Sequence, residues 1–194
     1  MYKIDLNGLL LVSSQARPTA RARVTDISEE ALLVKAVRLG DQESFARLYS
    51  LFAPMVHGIL LARVPWAEVD DLVQDVFLAA LKKLPSLRDD AAFGGWLAMI
   101  ARNRAMDFHR QKVETEELSE DLVTRSHSEA DREAARVLEV ICDLPEAYRE
   151  TLVLRLVEGM TGPEIAGRTG LTPASVRVNL HRGMKLLREK LGLE

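Results

Sequence analysis

The chain has 194 residues, 47% of them apolar and 28% charged, with a formal net charge of −3 and one cysteine. That apolar content supports a buried core and excludes a wholly disordered chain. Cys142 alone excludes an internal disulfide framework or a cysteine-based zinc site. Net negative charge argues against a nucleic-acid partner, but the charge is unevenly spread. Residues 28–112 hold eleven basic and eleven acidic side chains, residues 113–143 three and ten, and residues 144–194 eight and six. The middle is acidic and the end is basic.

Residues 1–27 read as a poorly ordered arm made weakly cationic by Arg17, Arg21 and Arg23. The apolar run Leu9–Val12 is too short for a signal peptide, and Asp5 and Asn7 interrupt its approach. No run approaches the roughly 20 apolar residues that span a bilayer, so no membrane insertion is expected. A reducing, cytoplasmic compartment fits the single cysteine.

A helical module follows over 28–112. Glu29 to Leu39 places Leu32, Leu33, Ala36 and Val37 at helical spacing, ended by Gly40-Asp41. Ser44 to Leu61 carries Phe45, Leu48, Tyr49 and Phe52 on one stripe, with Pro54 predicting a kink or break. From Glu68 to Leu84 the apolar residues Val69, Leu72, Val73, Val76, Phe77, Ala80, Leu81 and Leu84 recur at offsets of three and four, and Pro85 stops the helix. Ser86–Ala92 is loop by composition. Phe93, Trp96, Leu97, Ile100, Ala101, Ala105 and Phe108 form the stripe of a last helix. Trp96 on that stripe is assigned to packing.

Residues 113–137 form the acidic linker, since Val113–Asp131 has no helical apolar period and an excess of Glu and Asp. A solvated helix with an acidic face is the alternative reading. Beyond it, Ala134 to Cys142 can be helical, and Leu144-Pro145 opens a helix running to Gly159. Thr161 and Glu164 then have the spacing of a capping box, with Pro163 in the first turn and Ile165 and Ala166 inward. Gly170 supplies a tight turn, Leu171 packs inward, and Thr172 caps a final helix with Pro173 in its first turn. That helix keeps Val176, Leu180, Met184 and Leu187 on one stripe and fills the remainder with Arg177, His181, Arg182, Lys185, Arg188 and Lys190. A cationic helix after a tight turn is the arrangement that enters a DNA major groove. The alternative is an ordinary helix pair with basic residues placed to suit the helix dipole.

Leu144-Pro-Glu-Ala-Tyr-Arg-Glu-Thr-Leu-Val-Leu-Arg-Leu-Val-Glu-Gly159, Glu164-Ile-Ala and Ser175-Val-Arg-Val-Asn-Leu-His-Arg182 resemble the C-terminal domain of extracytoplasmic-function (ECF) sigma factors. Asp70-Asp-Leu-Val-Gln-Asp-Val-Phe77 and Phe93-Gly-Gly-Trp-Leu-Ala-Met-Ile-Ala-Arg-Asn-Arg-Ala-Met-Asp107 resemble that family's N-terminal domain. The resemblance covers about 30–112 and 138–192. It implies an all-α chain: two small helical domains joined by a flexible acidic linker, with a helix-turn-helix in the C-terminal domain, residues 138–194. It further implies that Asp71, Gln74, Asp75 and Leu78 dock on the coiled coil of the RNA polymerase core's largest subunit. Arg88, Asp89 and Asp90, on a segment that captures a flipped base, and Arg102, Asn103, Met106 and Arg110 on the next helix are implied to meet the −10 element. Thr172, Pro173, Ala174, Ser175, Arg177, Val178, His181, Arg182 and Lys185 are implied to read the −35 element of promoter DNA. An anti-sigma partner is implied as well. Asn179, Val178 and Gly183 depart from the Arg, Ser and Ala common in the family, which bears on the promoter sequence preferred.

Catalytic chemistry is not expected. His57, His109, His127 and His181 lack metal-ligand spacing, and Gly159, Gly162 and Gly167 make no phosphate-binding loop. No metal, cofactor or catalytic residue is therefore assigned, and the chain reads as a transcription initiation factor. Two other readings stand beside it: a helix-turn-helix regulator that binds an operator without joining polymerase, and an all-helical adaptor with no DNA role.

Overall fold

The computed structural model of the protein describes residues 2–5, 10–13, 27–115 and 129–193. The described residues form eight α-helices, α1 Ile27–Arg38, α2 Gln42–Leu61, α3 Trp66–Lys83, α4 Phe93–Thr115, α5 Glu129–Cys142, α6 Glu146–Leu156, α7 Gly162–Thr169 and α8 Pro173–Leu191, and two short strands, β1 Tyr2–Asp5 and β2 Leu10–Ser13. Single 3₁₀ turns at Leu84–Ser86 and Asp90–Ala92 join α3 to α4.

The first module wraps α1, α3 and α4 around α2. Asp41 starts α2 by accepting the Glu43 and Ser44 backbone N–H groups at 3.2 and 3.3 Å, which satisfies donors that have no intrahelical partner. Leu48, Phe52, Met55, Val56, Ile59 and Leu60 of α2 are buried against the Val69–Ala80 stripe of α3 and against Phe93, Leu97, Ala98, Ala101 and Ala105 of α4. Phe77 of α3 meets Phe45 and Tyr49 at ring separations of 6.4 and 4.5 Å, and Phe52 meets Phe93 at 5.1 Å. The expected α3 stripe is buried at Val69, Leu72, Val73, Val76, Phe77, Ala80 and Leu84, while Leu81 points outward. Leu32, expected on the inner face of α1, is 63% exposed.

Four expectations are corrected here. Pro54 does not break α2, which runs through it as one element, because its buried apolar face continues on both sides of the proline and outweighs one missing N–H bond. By length and composition α2 is also apolar enough to cross a membrane, contrary to the reading that no run approaches that length; half of that apolar stretch is buried within the protein, where it forms the core of the first module. The loop 86–92 is largely ordered by the two 3₁₀ turns. Within the N-terminal arm, Tyr2–Asp5 and Leu10–Ser13 pair antiparallel, with Tyr2 opposite Ser13 and Asp5 opposite Leu10. Arg17, Arg21 and Arg23 lie outside the described residues.

The second module packs α5 to α8. Helix α5 starts at Glu129, earlier than expected, and Ala134 and Val137 already belong to the core, so 129–137 are not linker. Residues 113–115, also expected as linker, are the end of α4, and the remainder of the acidic stretch, 116–128, lies outside the described residues. Ile141, Leu144, Leu152, Val153, Leu156, Ile165, Val176 and Leu187 make the core of this module. The β1–β2 ribbon, Tyr2–Asp5 with Leu10–Ser13, lies beside α5 and α6.

The two modules pack on each other, α2 and α4 of the first against α6 and α7 of the second. Gly58 of α2 faces Leu154, and Gly94 of α4 faces the Arg168 backbone. Arg168 reaches back to donate to the Leu51 carbonyl at 2.9 Å and lies over the Phe52 ring.

Candidate nucleic-acid interface

Local sequence sets the geometry of α7 and α8. The Glu164 carboxylate accepts the Thr161 backbone N–H at 2.7 Å while Thr161 Oγ1 accepts the Glu164 N–H at 3.4 Å, completing the predicted capping box. Gly170 ends α7 at φ 76°, a left-handed conformation disfavoured by any Cβ. Thr172 Oγ1 then accepts the Ser175 N–H at 3.1 Å and starts α8, with Pro173 in the first turn. Ile165, Ala166, Val176 and Leu187 are buried as expected, with Leu171, Leu180 and Met184 packed partly beneath the surface.

Gly183 is more than a weak point in a helix. A Cβ there would sit 3.0 Å from Leu152 Cδ1 and 3.0 Å from Tyr148 Cβ. The glycine is a point of close approach between α8 and α6, so its missing side chain fixes how the basic helix is mounted.

The outward face of α8 is open. Thr172, Pro173, Ala174, Ser175, Arg177, Val178, His181, Arg182 and Lys185 are all exposed or half-buried, and Glu189, 3.8 Å from Lys185, is the only acid on the helix. Val178 is 44% exposed among these polar neighbours. Caps, turn and basic face together form a helix-turn-helix whose second helix is presented to solvent.

On α4, Asn103, Met106 and Arg110 share an exposed side, with Arg110 held by Asp107 at 2.7 Å. Met99, one heptad before Met106, is 52% exposed on the same side; its spacing from Met106 was the signal that would have found it. Arg102 does not join this open side. Its guanidinium is turned toward the second module, where Nε and Nη2 donate to the two oxygens of Glu150 at 3.1 and 2.7 Å. Arg63 donates to the same carboxylate at 2.7 Å. Burial alone would raise the Glu150 carboxyl, but the Arg102 hydrogen bond and the Arg102 and Arg63 charges outweigh it and hold it below the ordinary value. The Arg102 guanidinium is correspondingly held above its usual range, chiefly by its bond to Glu150.

The segment 86–92 uses its acids locally. Asp89 accepts the Ala91 N–H at 3.0 Å, and Asp90 pairs with Arg38 of α1 at 2.9 Å. Arg38 also donates to the Leu87 carbonyl. Arg88 is exposed. On α3, Asp71, Gln74 and Leu78 are exposed, Leu78 at 55%. Asp75 shares that face but is paired with Arg104 of α4. Sequence reasoning missed Arg38, Arg63, Arg104 and Glu150, whose pairings cross from one helix to another. Among the described residues, no group of three or more His, Cys, Asp or Glu side chains can hold a metal ion.

Comparison with known proteins agrees with this geometry. Residues 48–115 match the family described as Sigma-70 region 2, and residues 134–187 match Sigma-70, region 4. The chain is 33% identical to RNA polymerase sigma factor CarQ of Myxococcus xanthus over 162 residues, 80% of this chain and 93% of that protein. It is 30% identical to ECF RNA polymerase sigma factor SigD of Mycobacterium tuberculosis, covering 84% of this chain and 83% of SigD. The structure of CnrH in complex with the cytosolic domain of CnrY superposes with a TM-score of 0.62 at 27% identity, covering 87% of this chain and 99% of CnrH. Two successive matches in one order, each falling on one helical module, leave neither an operator-binding regulator nor an adaptor as the better description: the chain belongs to the ECF subfamily of sigma-70 RNA polymerase sigma factors, which are transcription initiation factors and not enzymes.

Proposed function

We propose that this sigma factor joins RNA polymerase core in the cytoplasm and directs it to promoters with −35 and −10 elements, under control of an anti-sigma partner. The observation that carries the reading is the exposed cationic face of α8, held by the Thr161 and Thr172 caps and the left-handed turn at Gly170. Thr172, Pro173, Ala174, Ser175, Arg177, Val178, His181, Arg182 and Lys185 read the −35 duplex, cations on phosphates for affinity and the remaining groups on base edges for sequence. Asn103, Met106 and Arg110 meet the −10 strand, joined by Arg102 once it leaves Glu150. Arg88 faces an extruded base from a turn whose shape Asp89 and Asp90 maintain. Asp71, Gln74, Asp75 and Leu78 dock on the largest-subunit coiled coil, Asp75 exchanging Arg104 for a cation of the polymerase. CnrH, similar to this chain, is found in complex with the cytosolic domain of CnrY, which supports a protein partner of regulatory type here.

The test is reconstitution. Purified core polymerase plus this chain is expected to initiate on a subset of genomic fragments that share an upstream sequence and that core alone ignores. If no fragment yields a transcript above core alone, the proposed function is wrong.

A further inference from the structure

Arg102 is the one residue expected at the −10 strand whose charged head faces the other module. Its two hydrogen bonds to Glu150 are those a guanidinium makes to a phosphate: two N–H groups on two oxygens of one anion. Glu150 is only 5% exposed and comes from α6, whereas Arg102 and Arg63 both belong to the first module. Arg63 is anchored in turn, donating to the Ile59 carbonyl at 3.0 Å and to Glu146 at 3.2 Å. Arg102 also points its Nη2 at the Thr169 carbonyl, 3.4 Å away, one residue before the turn of the helix-turn-helix. The same anion therefore pins the two modules together and occupies the Arg102 guanidinium.

We propose that Glu150 stands in for a DNA phosphate: in the closed chain its carboxylate holds Arg102, and single-stranded promoter DNA takes that place only when the second module swings away. The proposal rests on the reading of the outer side of α4 as the −10 face. Asn103, Met99 and Met106 stay open in the closed form, so a strand can touch them beforehand, but it gains its Arg102 contact only on opening. Because strand and carboxylate compete for one group, DNA favours the open chain and opening favours DNA by the same factor. Core polymerase, which would engage the still exposed α3 face, need not open the chain merely to find it.

The experiment uses the full chain and a fluorescein-labelled pool of single-stranded DNA oligonucleotides of mixed sequence, with anisotropy followed over a range of salt. Glu150→Gln is expected to bind about tenfold tighter than the natural chain, the order of one regained charge-assisted contact. Its salt dependence should steepen by about 0.7, the increment for one further phosphate on a single strand. Glu139→Gln, an exposed change of equal charge on α5, controls for the altered net charge. Gly58→Leu is the independent route to the open chain. A Cβ alone at that position sits 2.7 Å from Leu154 Cδ2, so a larger side chain wedges α2 from α6 and leaves every charge in place. It should expand the chain in solution scattering and tighten binding to the same degree. Adding Arg102→Gln to either variant should abolish the gain. The proposal is overturned if Glu150→Gln gains no more than Glu139→Gln, if the gain survives loss of Arg102, or if Gly58→Leu expands the chain without raising affinity. Any of these with normal promoter-dependent transcription by the holoenzyme leaves the proposed function standing and sinks only the exchange of anions.

Discussion

Gly94 and Gly95 are neighbours in the first turn of α4, and replacing each with alanine should move stability in opposite directions. Glycine within a helix is less stable than alanine by about 0.5–1 kcal/mol, so both substitutions begin with that gain. At Gly95 the new Cβ would lie 3.5 Å from Gly170 Cα and 3.7 Å from Gly170 N, ordinary contact distances, so the gain is kept. At Gly94 the Cβ would lie 2.9 Å from the Arg168 carbonyl oxygen and 3.0 Å from Phe52 Cε1. One is backbone and the other belongs to a fully buried ring, so neither can swing aside. Overpacking of this kind costs about 1–3 kcal/mol, which outweighs the helical gain and separates the two variants by about 1–3 kcal/mol. For a chain of this size each kcal/mol moves the melting temperature by about 2–4 °C. Thermal unfolding followed by circular dichroism should therefore place Gly94→Ala roughly 5 °C below Gly95→Ala, with the natural chain between them. Equal shifts of the same sign would show that α7 does not rest on the start of α4, and the packing of the two modules on each other would be wrong.

Three further outcomes follow from the same geometry. Gly170→Ala should lose about 1–2 kcal/mol in urea unfolding, the penalty of a Cβ in the left-handed region, and should weaken binding to a −35 duplex because α8 is mounted on that turn. Val178 offers only apolar contact, so on a bound duplex it suits a thymine C5-methyl group; replacing that thymine by deoxyuridine should weaken the natural chain about fourfold, one methyl group's worth of burial, and leave Val178→Ser indifferent. The Glu150 carboxyl, held below the ordinary 4.5 by its arginines despite burial, contributes stability that is present above the ordinary value and lost as pH falls through the folded one. The stability difference between the natural chain and Glu150→Gln, measured by urea unfolding, should shrink from neutral to acid pH; a difference that grows toward acid pH would contradict the pairing.

What was legible in the sequence was local. The Thr161 capping box, the Gly170 turn and the Thr172 cap each depend on residues within a few positions, and each is read from one short window. The stripe of α3 was legible because a helix buried on one side must repeat its apolar residues at offsets of three and four. The module boundary was less so: α5 begins inside the acidic stretch because Ala134 and Val137 find the α6 and α8 surface, and a window centred on the charges does not contain that surface. The ion cluster was illegible for a deeper reason. Arg63, Arg102 and Glu150 are separated by dozens of residues, and no spacing rule links a turn and two helices whose packing is not yet known. For the same reason Arg102, assigned to the open side of α4, carries its head elsewhere. Glycines 58, 94 and 183 were ambiguous too, since helix propensity marks them only as weak points, whereas their value is the close approach they permit.

Net charge misleads for this chain, and the structure explains how. Many acids of the described residues are spent on particular cations: Glu150 on Arg63 and Arg102, Asp75 on Arg104, Asp90 on Arg38, Asp107 on Arg110, Glu29 on Arg47. Those pairs sit on or between helices α1 to α6 and include no residue of α8. At physiological ionic strength a charge is screened beyond about 8 Å, so a phosphate placed against the outward face of α8 would respond first to Arg177, Arg182 and Lys185 on that face. A helix presenting several cations against the single acid Glu189 keeps its local sign whatever the sum over the chain. The −3 total and a cationic face on α8 are therefore compatible, because much of the acidity is paired with cations on other helices.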